Sequence, residues 1–292
     1  MASLNDLKNR MKSVRDTRKI TNAMYLISSA KMRKSRREME ASRPHFYASQ
    51  AVIGDVLRNL PEIVHPYIGD TMETPRPGKR AYLVVTGDKG LAGAYNHNIL
   101  KLMSKLDQDP EESIIYTVGE VGLHNAQAMG YPVDLSMHYP AQDPNISRAR
   151  DLSSRLVERY LAGELSELIL VYTSLHKTVT EAVYRRLLPL YRKDFTQFMP
   201  PDDHRPPVYL PSPQAVLDTV VPNYLTGILL DVLLEAYCAE LEARMMAMQS
   251  ATDNADDMLE QLSLQANRAR QEAITQEITE IASGARAQKK IN

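Results

Sequence analysis

The feature that most constrains this chain is the stretch at residues 212–285, which reads as one very long helix. Ser212 can cap its start with Pro213 at the first helical position, where the missing N–H and the fixed φ cost nothing. Pro222 is predicted to bend or interrupt the helix after a short foot segment, and Gly284 is predicted to end it. At 1.5 Å per residue such a helix spans about 110 Å, so no single domain of this size can bury it.

The distal part of this helix carries a heptad seam, because buried-face candidates recur at alternating steps of three and four residues. This spacing is typical of a helix that pairs with another helix. Small residues are as common in the seam as large ones, so the two backbones can approach closely. The seam residues are Met245, Met248, Thr252, Ala255, Leu259, Leu262, Ala266, Ala269 and Ala273.

A second helix is predicted at residues 1–60. Leu4, Leu7, Met11 and Val14 repeat at steps of three and four, and a continuation of the stripe is expected at Ile20, Met24 and Ile27. Pro44 should kink or divide this helix.

Opposite charges at the two ends of the chain favour pairing of these helices. Residues 1–43 hold twelve Lys and Arg against four Asp and Glu, whereas residues 225–285 hold three against eleven. A solvated helix face or a basic arm that binds nucleic acid would also explain the cations at the N-terminus. The uncharged run Met24–Ile27 argues against a nucleic-acid arm, because it would be left exposed there.

The segment 76–210 between the two helices predicts an inserted α/β domain. Apolar runs of strand length at 81–86, 113–118 and 167–173 alternate with helical patterns at 95–106, 121–129 and 147–162. The pattern indicates a mostly parallel sheet that is covered on two sides. Two weaker strands are predicted at 133–139 and, at an edge, 180–188. Proline-rich links are predicted at 62–78 and 200–213.

No catalytic or metal-binding constellation stands out in the sequence. Gly87, Gly90 and Gly93 follow the first strand with Lys89 beside them, but their spacing matches neither known phosphate-binding motif and favours a tight turn. The seven histidines form no HExxH pair, and one cysteine cannot build a thiolate cluster. Asp202, Asp203 and His204 read as a solvated turn. The charged N-terminus predicts no signal peptide, and no stretch is apolar enough to predict a membrane span.

Several motifs, taken in order, resemble the gamma subunit of F-type ATP synthases. They are MKSVRDTRKITNAM at residues 11–24, SSAKMRKS at 28–35, GDKGLAGAYN at 87–96, ATDNADDM at 251–258 and NRARQEAITQEITEIASGA at 267–285. The glycine-rich motif departs mildly from the family pattern SDRGLCGG at Gly87, Lys89, Ala92 and Ala94. The resemblance spans the whole chain.

The resemblance implies a long antiparallel coiled coil of the terminal helices, at 1–60 and 212–292, with an inserted Rossmann-like α/β domain. It implies a non-catalytic rotor shaft without cofactor or metal, peripheral on the cytoplasmic face of the membrane. The implied partners are the alpha and beta subunits of the catalytic ring, the epsilon subunit and the membrane c-type ring, with no nucleic acid. The competing classes are a nucleotide-binding α/β enzyme and a nucleic-acid-binding coiled-coil scaffold.

The resemblance also assigns contact residues and a register for the coil. Lys8, Arg10, Arg15, Arg18, Met24, Arg270, Gln271 and Thr275 are expected to contact the catalytic ring, and Tyr224 the membrane ring. With Met24 opposite Gln271, as the resemblance implies, an acidic cluster at 253–260 lies level with Lys34, Arg36, Arg37 and Arg43. Glu277 and Glu280 then lie level with Arg15 and Arg18.

Overall fold

The computed structural model describes residues 4–69, 77–106, 111–176, 179–198 and 208–291. The elements in chain order are α1 (Leu4–Asn59), β1 (Lys79–Val85), α2 (Tyr95–Leu106), β2 (Ser113–Val118), α3 (Glu120–Ala128), α4 (Ile146–Leu161), β3 (Leu165–His176), β4 (Val179–Leu188) and α5 (Pro213–Ile291). Short 3-10 helices occupy Leu135–Met137 and Arg192–Phe198. Residues 70–76 and 200–207 of the two predicted proline-rich links, which include the turn at Asp202–His204, lie outside the described residues.

The helix α5 begins where the sequence predicts. The Ser212 hydroxyl accepts the Ala215 N–H at 3.2 Å, which satisfies one of the free donors of the first turn. Pro222 lies inside the helix and does not interrupt it, so the separate foot segment is wrong. The helix is held on both sides of the proline by one buried cluster, which contains Leu217 and Val221 before it and Leu225 after it.

Gly284 does not end α5, which continues to Ile291, so this predicted stop is also wrong. The residues that follow Gly284 are Ala, Arg, Ala, Gln and two lysines, all good helix formers. One interior glycine costs about 1 kcal/mol relative to alanine, which such neighbours can offset.

Pro44 likewise lies inside α1 without dividing it. The part of α1 after the proline is held by buried side chains of the core, among them Phe46, Ile53, Val56 and Leu57. Burial of large apolar side chains at about 1.5–3 kcal/mol each outweighs the cost of an interior proline, about 3 kcal/mol.

The four strands form one sheet in the order β2-β1-β3-β4. The central strand β1 pairs in parallel with β2 and β3, and β4 pairs antiparallel with β3. The place of β4 at an edge was predicted. The predicted strand at 133–139 is wrong, because only single bridges join Val133 to Ile115 and Tyr139 to Val118. Asp134 between them caps a 3-10 helix by accepting the Ser136 N–H at 2.9 Å.

Both faces of the sheet are covered, which confirms the predicted layering. Successive residues of β1 point to opposite faces. Leu83 packs in a buried cluster with α1, α4 and α5, whereas Tyr82 packs in a second buried cluster with α2 and α3. The helix α5 contains a window long and apolar enough to cross a membrane by length and composition, but half of that window is buried within the chain. Packing against the sheet therefore accounts for its apolar character.

The chain divides into two compact units, and the division cuts both long helices. The coil unit comprises Met1–Ser28 and Met245–Asn292, and the sheet unit comprises Ser29–Arg244. The predicted boundaries at 1–60, 76–210 and 212–292 follow secondary structure instead. They differ because the later half of α1 and the first half of α5 pack against the sheet.

Candidate functional site

The coil unit is the candidate functional site, and its two helix segments run antiparallel. The Thr21 and Thr252 hydroxyl oxygens lie 2.6 Å apart across the seam. Four residues further along α5, Asp256 forms an ion pair with Arg18 at 2.6 Å. Met248, Ala255 and Leu262 are buried along the α5 side. The predicted seam is therefore confirmed up to Ala269, whereas Ala273 is exposed.

The register differs from the one that the resemblance implied. The predicted register placed Glu277 and Glu280 beside Arg15 and Arg18, but Arg18 pairs with Asp256. The predicted register is therefore wrong by several helical turns. In the sheet unit, Arg43 lies 3.8 Å from Asp231 and not beside the acidic cluster at 253–260. Exposed ion pairs contribute only about 0–1 kcal/mol each, so charge matching cannot fix a register against seam packing.

The α1 side of the seam also differs from the predicted stripe. Ile20 and Ile27 are exposed, and Thr21 and Ser28 are buried in their place. These two residues continue a seven-residue spacing from Leu7 and Val14, and the spacing recurs in the sheet unit at Ser35, Ser42 and Ser49. Sequence reasoning followed apolar residues and missed this row of small polar residues. The exact seven-residue repeat was the signal that could have found it.

The helix α5 extends past the beginning of the described part of α1. In this antiparallel pair, counting fourteen residues back from Arg18 along α1 and fourteen residues forward from Asp256 along α5 places Leu4 level with Arg270. Every described side chain of α5 from Arg270 to Ser283 is exposed. Among them Ile274, Ile278 and Ile281 are 48, 61 and 69% exposed, which is unusual for isoleucine without a partner.

The contact residues named by the resemblance all lie in the coil unit except Tyr224. Lys8, Arg10 and Arg15 are exposed on α1, and Arg18 is about half exposed with its guanidinium on Asp256. Gln271 and Thr275 are exposed on the extension, where the Thr275 hydroxyl donates to the Gln271 carbonyl at 2.9 Å. Met24 is half-buried and does not lie level with Gln271.

Tyr224 is buried, unlike the other residues that the resemblance names as contacts. Its side chain is 3% exposed and stacks on Phe46 with ring centroids 5.4 Å apart, while Phe195 lies on another side at 5.5 Å. Burial raises the pKa of the Tyr224 hydroxyl. The ring therefore belongs to the core of the sheet unit, and almost none of it is exposed.

The glycine-rich loop after β1 is a structural joint and not a phosphate cradle. The Gly87 N–H donates to Asn96 at 2.8 Å, and a Cβ on Gly87 would lie 2.9 Å from the Glu240 carboxyl group. Glu240 is buried and pairs with Arg244, which also donates to the Gly90 carbonyl. The Glu240 side chain therefore fills the space beside the Gly87 backbone. This geometry favours a tight structural turn over a nucleotide-binding site.

Metal-binding clusters and the one cysteine are the other candidate features that the sequence raises. No group of three or more His, Cys, Asp or Glu side chains there could hold a metal ion. Cys238 is buried in α5, and burial raises the pKa of its thiol to about 11, so it remains protonated near neutral pH. The fold and the site define a class: an antiparallel helical hairpin with an α/β domain inserted between its two helices.

Comparison with known proteins identifies the family. The family model described as ATP synthase matches residues 3–288. The ATP synthase gamma chain of Caldanaerobacter subterraneus subsp. tengcongensis is 38% identical, covering 96% of this chain and 98% of the relative. The sodium-ion-specific ATP synthase gamma chain of Acetobacterium woodii is 35% identical, covering 98% of each. The chain belongs to the ATP synthase gamma-chain family.

Solved structures share the fold at low sequence identity. A chain of the Euglena gracilis mitochondrial ATP synthase, in the OSCP/F1/c-ring structure, matches with a TM-score of 0.66 and 14% identity, covering 97% of this chain and 94% of that one. A chain from the central stalk and c-ring of the Tetrahymena thermophila enzyme matches with a TM-score of 0.57 and 19% identity, covering 80% and 99%. This chain is a non-catalytic, membrane-peripheral stalk subunit of a complex that synthesises ATP.

Proposed function

We propose that this chain is the shaft that couples ion flow through a membrane c-type ring to ATP synthesis in a ring of alpha and beta subunits. The observation that carries the proposal is the extension of α5 from Arg270 onward, where every described side chain is exposed. An asymmetric helix inside a ring of equivalent subunits contacts each one differently. Rotation then changes which conformation is favoured at each site, because contacts shift conformational equilibria only by differential affinity.

The proposed contacts to the catalytic ring are the residues that the resemblance named. Arg270, Gln271 and Thr275 lie on the extension, and Lys8, Arg10, Arg15, Arg18 and Met24 lie on α1 of the coil unit. A net hydrogen bond contributes roughly 0.5–1.5 kcal/mol, or 1.5–3 kcal/mol when a charge takes part. The loss of one or two such bonds changes a rate by about tenfold to a few hundredfold.

The test is Gln271→Ala combined with Thr275→Ala in the assembled complex. Because both side chains are exposed and neither lies in the seam, we expect helix content and assembly to be unchanged and ATP turnover to fall by about tenfold or more. Gln261→Ala with Gln265→Ala is the matched control, since these residues are also exposed and four apart on α5. Full turnover in the first double variant, with assembly confirmed, would overturn these contacts.

The remaining contacts and the location are part of the same proposal. The epsilon subunit would bind the α/β domain, and the start of α5 would approach the c-type ring. Because Tyr224 itself is buried, a contact at that level would come from its neighbour Asn223, which is less buried on the same helix. The complex would hold this chain on the cytoplasmic face of a bacterial-type cell membrane.

A further inference from the structure

The outer edge of β4 is the least protected edge of the sheet. At the other edge, β2 is bridged by Val133 and Tyr139 from the following segment. Along β4, the only bridge beyond the β3 pairing within the described residues joins Ile68 to Leu190, past the end of the strand. Open strand edges are usually shortened, charged or covered, because their free N–H and C=O groups pair readily with other strands.

A hydrogen bond of the Leu175 backbone N–H shows which backbone groups of β4 point outward. The Leu175 N–H donates to the Glu235 carboxylate at 2.8 Å, so it does not bond to β4. Its partner Thr180 therefore belongs to a non-hydrogen-bonded pair, in which both residues direct their backbone groups away from each other. Since this direction alternates along a strand, Thr180, Ala182 and Tyr184 all present their N–H and C=O groups at the outer edge.

A basic cavity lies directly at this edge. It has a volume of about 510 Å³ and is lined by Tyr184, Arg185, Arg186, Lys193 and Asp194, among others. Arg186 pairs with Asp194 at 3.3 Å and lies 4.0 Å from the Tyr191 ring centroid. Three cations against one carboxylate leave an excess of positive charge in the lining. Tyr184 is 59% exposed beside the cavity, a large apolar ring without a cover among the described residues.

We propose that the outer edge of β4 docks an extended strand from another subunit of the complex, and that an acidic side chain of this strand enters the basic cavity. The strand supplies partners for Thr180, Ala182 and Tyr184, and it covers the Tyr184 ring. Main-chain bonds give such strand addition its affinity, and the pocket beside the edge gives its specificity. The inference rests on the proposed function, because it needs the assembled complex.

The test is hydrogen exchange at single amides in the isolated chain and in the assembled complex. The amides of Ala182 and Tyr184 are expected to exchange quickly in the isolated chain and to slow by about tenfold or more in the complex. Those of Glu181 and Val183, which bond to β3, are expected to be slow in both. Protection of Ala182 and Tyr184 already in the isolated chain would mean that the chain or a second copy covers the edge, and would overturn the proposal.

Two variants separate the edge from the cavity. Ala182→Pro removes an outward N–H and is compatible with an edge strand, whereas Lys193→Glu reverses an exposed charge of the cavity. Each is expected to abolish the added protection at Tyr184 in the complex, and Lys105→Glu, exposed on α2, is the charge-matched control. Unchanged protection in Lys193→Glu overturns the cavity assignment. A wild-type complex that turns over ATP without added protection refutes this inference alone, whereas failure to assemble refutes the proposed function.

Discussion

At the scale of single residues, the coil is held by small polar side chains as well as apolar ones. Thr21 and Thr252 meet at 2.6 Å, and each hydroxyl also approaches a carbonyl of its own helix, at Arg18 and Met248 respectively. Each hydroxyl has one proton, so one of them must donate across the seam instead of to its own backbone. Small side chains of this kind let two helix backbones approach closely.

The first prediction concerns this pair. Thr21→Val and Thr252→Val are each expected to lower the stability of the coil unit by about 0.5–1.5 kcal/mol, because each removes the bond between the helices at nearly constant shape. The double variant is expected to cost less than the two singles together, since it leaves no hydroxyl without its partner. Denaturant unfolding followed by circular dichroism gives these values.

Thr17→Val is the matched control for that cycle. The Thr17 hydroxyl bonds only to the Ser13 carbonyl of its own helix at 3.0 Å and is exposed. It should therefore show no coupling to Thr252→Val. Strict additivity between Thr21→Val and Thr252→Val would contradict the pairing of the two hydroxyls.

At the scale of elements, the long helices depend on different partners along their length. The later part of α1 and the first part of α5 are fixed by the sheet through Phe46, Ile53, Leu225 and Leu229. Among the described residues, the distal part of α5 packs against the start of α1, and from Arg270 to Ser283 its side chains are exposed. Long helices gain most of their stability from packing of one face, so the two parts should respond differently to the loss of α1.

A deletion of residues 1–28 tests this dependence. The sheet unit is expected to stay folded, because both of its buried clusters draw only on residues of that unit. Residues 245–270 of α5 are expected to lose helical structure, since Met248, Ala255 and Leu262 lose the face they pack against. Circular dichroism and hydrogen exchange measure both effects. Full protection of Met248 to Leu262 after the deletion would show that α5 does not need the pairing.

Element type could be predicted from the sequence much better than element ends and pairings. The strands β1, β2 and β3 and the helices α1 to α5 follow from the apolar pattern and from the Ser212–Pro213 start signal. Pro222 and Gly284 did not end α5, because tertiary packing and good helix formers outweigh a single unfavourable residue. Single-chain patterns carry no information about such compensation, which acts between segments far apart in sequence.

At the scale of the whole molecule, the candidate site illustrates the same limit. The pairing of the ends was predicted from charge and heptads and its antiparallel direction from the resemblance, and the Arg18–Asp256 and Thr21–Thr252 contacts confirm both. The register was not, because surface charges pair in many registers at similar energy, whereas the Thr21–Thr252 seam fits only one. The exposed extension of α5 follows from that register, so its position could not be predicted before the structure.

The central claim is that this chain turns inside a fixed ring while ATP is consumed or made. Lys105 is exposed on α2, so Lys105→Cys can carry a visible probe, and labelling is selective because Cys238 is buried with its thiol pKa raised to about 11. In single complexes held by the alpha and beta subunits, the account predicts that the probe rotates in one direction as ATP is hydrolysed. Hydrolysis at the full rate with a stationary probe would contradict it.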